Sequence, residues 1–225
     1  MKYEKIFYYS DTNFLFVLRE IFDKKILKEK QRIILENQEM GDLGIFDDSI
    51  RLNPSWFDIW KDVSLPEKLS EYNQLIYPPQ IRKLISKECY VPFHQDWKYL
   101  SKDVIPEKFH ERFCVCFLPL NNEPSKYPTV EFVNNSKQTK IEHKERFKTK
   151  FNSFYLDGEF ENIENFNLDF GDALIFGNEV AHRTLAKDYH RWGRLSQEFR
   201  ITDDKSRIVG KDYYNMITNK FDIYL

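Results

Sequence analysis

The strongest constraint on this chain is a rhythm. From Pro78 and Pro79 onward, short runs rich in β-branched and aromatic residues recur between turn signals: Ile81 to Ile85, Tyr90 to Trp97, Phe113 to Leu120, Thr129 to Val133, Phe151 to Leu156, Ala173 to Phe176 and Leu195 to Ile201. Runs of this length and composition are strand signatures, and the series predicts one antiparallel all-β body. Ahead of it, residues 11 to 29 carry Phe14, Val17, Leu18, Ile21 and Phe22 at the spacing of an amphipathic helix, with Ser10, Asp11 or Thr12 as N-cap. Pro54 suits the first turn of a short helix bearing Trp56, Phe57, Ile59 and Trp60, and Pro66 suits the start of another. The loops Asn121 to Tyr127 and Asp157 to Asn165 separate strands, and the basic stretch Lys137 to Lys150 reads as a short helix or a solvated loop.

These elements predict a mainly β fold with N-terminal helices packed on one sheet. A double-stranded β-helix (jelly roll, cupin-like) has that composition, and other sandwiches share it. The chain, 225 residues long, is of a size for one domain. Within it, residues 1–79 read as a mostly helical scaffold, 80–202 as the β core and 203–225 as a C-terminal extension.

Charge and cysteine usage narrow the function classes. Charged residues make up 31% and hydrophobic residues 41% of the chain, with 16% aromatic, a balance that excludes a disordered protein. The 34 basic and 36 acidic side chains are evenly spread, so no footprint for a phosphate backbone is visible and nucleic acid is not an expected partner. Cys89, Cys114 and Cys116 are odd in number, and two of them are two apart on a predicted strand, which speaks against a disulfide framework. The opening MKYEKIFYYS has no apolar signal core, and the run Phe14 to Leu18 is too short to cross a bilayer. The expectation is a cytoplasmic protein with no membrane partner; nothing in the sequence speaks to its oligomeric state.

The sharpest local signal is Val91-Pro92-Phe93-His94-Gln95-Asp96-Trp97. On an extended strand, residues two apart project to one side, so His94 and Asp96 can offer an imidazole nitrogen and a carboxylate oxygen to one ion. A charged group between bulky apolar neighbours needs such a partner. By itself His-x-Asp is also an ordinary hydrogen-bonded pair. The second signal is Gly171-Asp172-Ala173-Leu174-Ile175-Phe176, a turn entering a short apolar strand, followed by His182. Asp172 reads as shaping that turn. Two histidines and one carboxylate form the facial set of non-haem iron(II) oxygenases, which leaves open positions on the metal, unlike a closed four-ligand zinc site. His110 and His143 lie among charged residues in predicted loops and His190 precedes the last strand, and all three read as surface residues.

Twelve residues past His182 comes Arg194-Leu195-Ser196-Gln197-Glu198-Phe199-Arg200-Ile201. On a strand, Arg194, Ser196, Glu198 and Arg200 face one way while Leu195, Phe199 and Ile201 face the other. Read alone, the polar row is either a solvated outer face or a carboxylate clamp pointing into the barrel, where a guanidinium makes two parallel hydrogen bonds.

Together, His94-x-Asp96, His182 and Arg194-x-Ser196 resemble the iron(II)/2-oxoglutarate-dependent oxygenase superfamily, and the Gly171-Asp172 run into Phe176 before His182 is most similar to its phytanoyl-CoA dioxygenase-like branch. The resemblance covers roughly residues 80–202. It implies His94, Asp96 and His182 as Fe(II) ligands, and Arg194, helped by Ser196, as the anchor of the distal carboxylate of 2-oxoglutarate. Arg194 to Arg200 also resembles the end of the DNA-repair alkyl demethylases, in which both arginines touch the co-substrate, so Arg200 is the second candidate.

The resemblance further implies an oxidoreductase that consumes 2-oxoglutarate and O2, releases succinate and CO2, and hydroxylates an unactivated C–H bond of a small-molecule substrate. The halogenating relatives have a small residue where Asp96 stands, which favours hydroxylation, or desaturation or ring formation. Residues expected to line the substrate space, from their position near the metal strands, are Tyr90, Trp97, Asn121, Glu131 and Asn178. Two rivals stand beside this reading. One is a cupin-type metalloenzyme that does not use 2-oxoglutarate, with both arginines outward; the other is a non-catalytic jelly roll that binds a ligand and no metal.

Overall fold

The computed structural model describes residues 2–36, 45–86, 90–100, 112–135, 137, 140–146, 153–185, 187–188, 190–206 and 211–222. In chain order its elements are β1 (Lys2–Tyr8), β2 (Phe14–Arg19), α1 (Lys24–Glu36), α2 (Asp48–Arg51), 3-10 turns at Pro54–Trp60 and Glu67–Leu69, β3 (Gln74–Tyr77), β4 (Gln80–Leu84) and α3 (Trp97–Leu100). There follow β5 (Phe113–Pro119), a 3-10 turn at Pro124–Lys126, β6 (Thr129–Val133), β7 (Lys144–Arg146), β8 (Ser153–Tyr155), β9 (Ile163–Asn165), β10 (Ala173–Gly177), β11 (His182–Leu185) and β12 (Arg194–Thr202). A 3-10 turn at Asp204–Ser206, β13 (Asp212–Asn215) and β14 (Lys220–Asp222) complete it.

The strands form a nine-stranded sheet in the order β1-β2-β10-β5-β12-β3-β13-β14, with β4 also paired to β12, a three-stranded sheet β11-β6-β9, and the pair β7-β8. Every pairing between these strands is antiparallel. The mainly β, antiparallel architecture expected from the sequence is therefore present.

The large sheet is covered on both faces. All seven residues of β5 are buried. Cys114, Cys116 and Leu118 point to one apolar cluster with Phe14, Phe16, Ala173, Ile175, Leu195, Phe199 and Ile201, into which α1 and the Pro54–Trp60 turn pack Leu27, Ile34, Trp56, Phe57 and Trp60. Phe113, Val115 and Phe117 point the other way, toward a second cluster with Leu15, Val17, Leu174 and Phe176, closed by Val130 and Phe132 of β6. The metal side chains described below lie at the edge of this second, interior cluster.

Two-sided burial explains where the sequence misleads. Residues 14–19 form strand β2 and not the first part of a helix over 11–29; residues 10–13 make the turn before it, with the Tyr9 N–H donating to the Asn13 carbonyl at 2.9 Å. Phe14 to Leu18 are all buried, and an unbroken apolar run satisfies period 2 and period 3.6 equally, so periodicity cannot separate strand from helix there. The helix begins only at Lys24, after Asp23, whose Oδ1 accepts the N–H groups of Lys25 (2.7 Å) and Ile26 (3.2 Å). Residues 1–79 thus supply three strands as well as helical turns, and 203–225 add β13 and β14 to the sheet instead of trailing from it. Within the basic stretch 137–150, the described part is irregular over 140–143, as a loop would be, and then forms strand β7.

Asp172 shapes its turn as expected, and also ties it to β2. The carboxylate is almost fully buried and accepts from the N–H groups of Glu20 (2.9 Å) and Asp169 (3.0 Å) and from Arg19 Nη1 (2.7 Å). Gly177 at the end of β10 lies so close to the β1-β2 turn that an added Cβ would sit 2.2 Å from the Thr12 carbonyl oxygen, which leaves room for glycine alone. No helix among the described residues is long and apolar enough to cross a membrane. The Asp172→Ala protein should lose about 2 kcal/mol or more of stability, since a half-buried guanidinium partner and two amides lose their acceptor. Urea unfolding measures it, and a loss below about 0.5 kcal/mol, typical of a surface change, would refute this role.

Candidate metal centre

Residues 90–97 do not form the expected strand. Pro92 has no N–H to donate, which cuts the pairing of this segment with β11 short. What remains is one antiparallel bridge, in which the His94 N–H donates to the His182 carbonyl and the His182 N–H to the His94 carbonyl, both at 3.0 Å. The chain then turns into α3 at Trp97, whose N–H donates to the Asn178 carbonyl at 3.2 Å. The bridge sets the two imidazoles side by side, with ring centroids 4.2 Å apart. Phe132 and Phe176 flank His182 at 5.9 and 4.6 Å.

One ligand atom from each of His94, Asp96 and His182 lies within 4.8 Å of the others, and all three residues are buried. His94 Nε2 and Asp96 Oδ1 are 3.7 Å apart, a separation that fits two donors each roughly 2.1 Å from one ion. The tautomers are fixed by the same device twice. His94 Nδ1 lies 2.9 Å from the Pro92 carbonyl and His182 Nδ1 lies 2.9 Å from the Val180 carbonyl. A carbonyl only accepts, so each Nδ1 carries a proton, which leaves Nε2 as the ring nitrogen that can ligate.

Charge follows the same pattern. Burial, then the neighbouring His182, pushes His94 down to about 3, so its imidazole is neutral and free to ligate. Burial works to raise the Asp96 carboxyl, but the Arg200 guanidinium and then His182, His94 and His143 outweigh it and hold it below the usual range. Arg200 Nη2 is 3.8 Å from Asp96 Oδ1. Two imidazoles and one ionised carboxylate, buried together, are a donor set suited to a divalent ion of the iron type.

The row on β12 points inward. Glu198 and Arg200 lie opposite Phe117 and Val115 of β5 in the register, and both are interior residues. Arg194 is almost fully buried; its Nη1 donates to the Thr129 carbonyl at 3.4 Å, and its guanidinium carbon is 5.3 Å from the Phe117 ring. Beside it lies a cavity of about 30 Å³ whose walls include Phe117, Tyr127, Thr129, His190 and Arg194. The Ser196 hydroxyl, opposite Arg82 of β4, is fully buried and has no protein partner among the described residues. Arg82 Nη1 is 3.9 Å from Glu198 Oε1. Turned to satisfy both neighbours, the Gln80 amide oxygen accepts from Arg200 Nη1 (3.0 Å) and its nitrogen donates to Glu198 Oε2 (3.2 Å).

The expected lining residues divide. Tyr90 stacks on Trp192 at 5.8 Å. Burial raises its hydroxyl while the charge of Arg194 opposes this, which puts it on the Arg194 side. Trp97 is half-buried next to the metal residues, and Asn178 is buried beside it. Asn121 is a backbone pin: its Oδ1 accepts the Leu195 N–H at 2.7 Å and its Nδ2 donates to the Gly193 carbonyl at 3.2 Å, which fixes the start of β12. Glu131 pairs with Arg183. It sits next to Phe132, the partner of His182 in the register, so its side chain lies on the other face of β6 from the His182 ring.

Among the remaining histidines, His110 lies outside the described residues. His190 is half-buried and lines the cavity at Arg194, and His143, expected at the surface, is buried against the metal segment. The charged residues around His143 hide it in the sequence, and no local motif marks it.

No protein-family model matches the sequence, and no curated protein does. Solved structures match across most of the chain. The epimerase SnoN in complex with Fe3+, alpha ketoglutarate and nogalamycin RO is 13% identical with a TM-score of 0.55, over 91% of this chain and 83% of that one. The non-heme alpha ketoglutarate dependent carbocyclase SnoK from nogalamycin biosynthesis is 10% identical with a TM-score of 0.52, over 91% and 82%. The non-heme monooxygenase ThoJ is 12% identical with a TM-score of 0.51, over 86% and 75%. At these identities the likeness is one of fold.

The buried neutral imidazole has a measurable consequence. An unfolded His94 binds a proton below about pH 6.5 and the folded one does not, so the metal-free protein should lose about 1.4 kcal/mol per pH unit at this residue as pH falls from about 6.5 toward 4. Urea unfolding of chelator-treated protein follows the slope. His94→Gln should flatten it by about one proton, and an unchanged slope would show that His94 is protonated in the native state.

Proposed function

We propose that this protein is an Fe(II)- and 2-oxoglutarate-dependent oxygenase acting on a small metabolite. The observation that supports it most is the convergence of His94 Nε2, His182 Nε2 and the Asp96 carboxylate in one buried site, with Arg194 and Ser196 on the same interior face. The fold reading behind it is a double-stranded β-helix in which β4, β12, β5 and β10 oppose β11, β6 and β9. The motifs most resemble the phytanoyl-CoA dioxygenase-like branch.

In this reading His94, Asp96 and His182 hold the iron. Bound iron with 2-oxoglutarate supplies the oxidation of a substrate C–H bond by O2, with succinate and CO2 released. Arg194 binds the distal carboxylate through its guanidinium, and the Ser196 hydroxyl, which has no protein partner among the described residues, donates to the same group. Arg200 keeps Asp96 ionised and oriented, a role its 3.8 Å contact favours over the clamp. The phenyl rings of Phe132 and Phe176 exclude water from His182. Hydroxylation is the outcome proposed, although solved structures of this fold are described as an epimerase, a carbocyclase and a monooxygenase. The inward arginines weigh against a cupin-type enzyme that needs neither.

Anaerobic titration with Fe(II) and then 2-oxoglutarate tests the reading through the weak visible charge-transfer band of the chelate. The band should form in the wild type and be absent from His182→Ala. Arg194→Ala should weaken 2-oxoglutarate at least about tenfold, or about 1.4 kcal/mol, while Arg200→Ala should change it less. A larger loss in Arg200→Ala would exchange the two roles. Metal binding with neither arginine mattering would favour the cupin alternative, and no metal binding would leave only a ligand-binding jelly roll.

A further inference from the structure

Among the described residues, His143 is the one buried imidazole near the centre that the ligand set does not use. It lies 49 residues after His94 in the chain, on a segment that folds back over the metal residues. Its Nδ1 is 2.8 Å from the Ile141 carbonyl, which fixes the proton there. Its Nε2 accepts the Gln95 N–H at 2.9 Å, and that amide belongs to the peptide joining His94 to Gln95. The ring is set edge-on against Trp97 at 5.6 Å and Phe154 at 6.4 Å. Burial lowers the affinity of His143 for a second proton, in keeping with an Nε2 that accepts.

The side chain of Gln95 completes the contact from the other side. It is fully buried; its Oε1 accepts from the Ile141 N–H and from Trp97 Nε1, both at 2.8 Å, and its Nε2 donates to the Glu179 carbonyl at 2.6 Å. Three chain segments, at 94–97, 141–143 and 179, are thus joined at the residue between two of the metal-facing side chains. Ile141 also packs with Phe93, Val133, Leu156 and Ala181 on the outer side of the same segment.

We infer that His143 is a positioning residue for the metal centre: by accepting the Gln95 N–H it holds the His94-Gln95-Asp96 turn in ligating shape and latches residues 140–143 across it. This rests on the reading of His94, Asp96 and His182 as metal ligands. His143 is not itself a fourth ligand, because its Nε2 is committed to the amide. Removing an orienting partner of this kind typically weakens metal binding by about 10- to 100-fold.

The test is an anaerobic Co(II) titration of wild type, His143→Ala, His143→Gln and His182→Ala, following affinity and the visible ligand-field bands. The wild type should bind, and His182→Ala should not. His143→Ala should bind about 10- to 100-fold more weakly with altered bands. His143→Gln, whose amide oxygen can accept the same N–H, should stay close to wild type in both. Should His143→Ala fail to fold, His143→Leu fills the volume without an acceptor and takes its place. Wild-type affinity and bands in the Ala or Leu variant would overturn the latch alone, as would a Gln variant no better than Ala. Failure of the wild type to bind Co(II) would overturn the metal centre and the latch with it.

Discussion

The site depends on one pair of backbone hydrogen bonds. His94 and His182 are 88 residues apart in the chain, and the two-bond bridge between them is what makes their imidazoles neighbours. Side-chain attraction could not do this. Two imidazoles beside each other repel a shared proton, and burial makes the charged form costlier still. The backbone brings them together, the carbonyls of Pro92 and Val180 orient them, and burial with the neighbouring ring keeps His94 neutral. A site so arranged is poor at binding protons and suited to binding a metal.

The sheet is what makes such a bridge dependable. Because β5, β10 and β12 are buried on both faces, a one-residue slip would exchange the interior cluster for the outer one along a whole strand. Register is therefore fixed by two clusters at once, and it also fixes which residues of β12 look inward. Arg194, Ser196, Glu198 and Arg200 occupy the interior side because Leu195, Phe199 and Ile201 are required on the other, where Phe199 packs edge-on against Trp60 and Phe57 at 5.3 and 5.7 Å. Placement of the polar row is a by-product of apolar packing.

That explains which parts were legible in the sequence. His94, Asp96, His182 and the β12 row stood out because polar groups at strand spacing within apolar runs have few structural uses. Most of the strand runs after Pro79 stood out for their composition. The strand Phe14–Arg19 was read as helix because its five apolar residues are buried on both sides, and the period that distinguishes strand from helix is absent when no position is exposed. Tyr90 to Trp97 was read as strand because its composition suits one, while its pairing is limited by Pro92, whose effect depends on the neighbour it fails to bond. His143 and Gln95 were invisible for a further reason. Their importance comes from contacts between segments distant in the chain, which a local pattern does not encode.

The charges on the interior face supply a last step. Arg82, Arg194 and Arg200 are all turned inward on β4 and β12, and the carboxylates near them are Glu198 and Asp96. Each carboxylate has a guanidinium within 4 Å, and Arg194 lies against a carbonyl and an aromatic face. A divalent ion held by Asp96 and the two imidazoles would add further positive charge to a region of low dielectric, where like charges are costly. A dianion reaching from the ion toward Arg194 would offset that added charge. Under the proposed reading, the charges of this interior face favour a small dicarboxylate over a neutral ligand on the Arg194 side of the centre. They also account for the burial of a serine hydroxyl at 196: a donor fully removed from water is expensive unless some acceptor reaches it, and an incoming carboxylate is one that can.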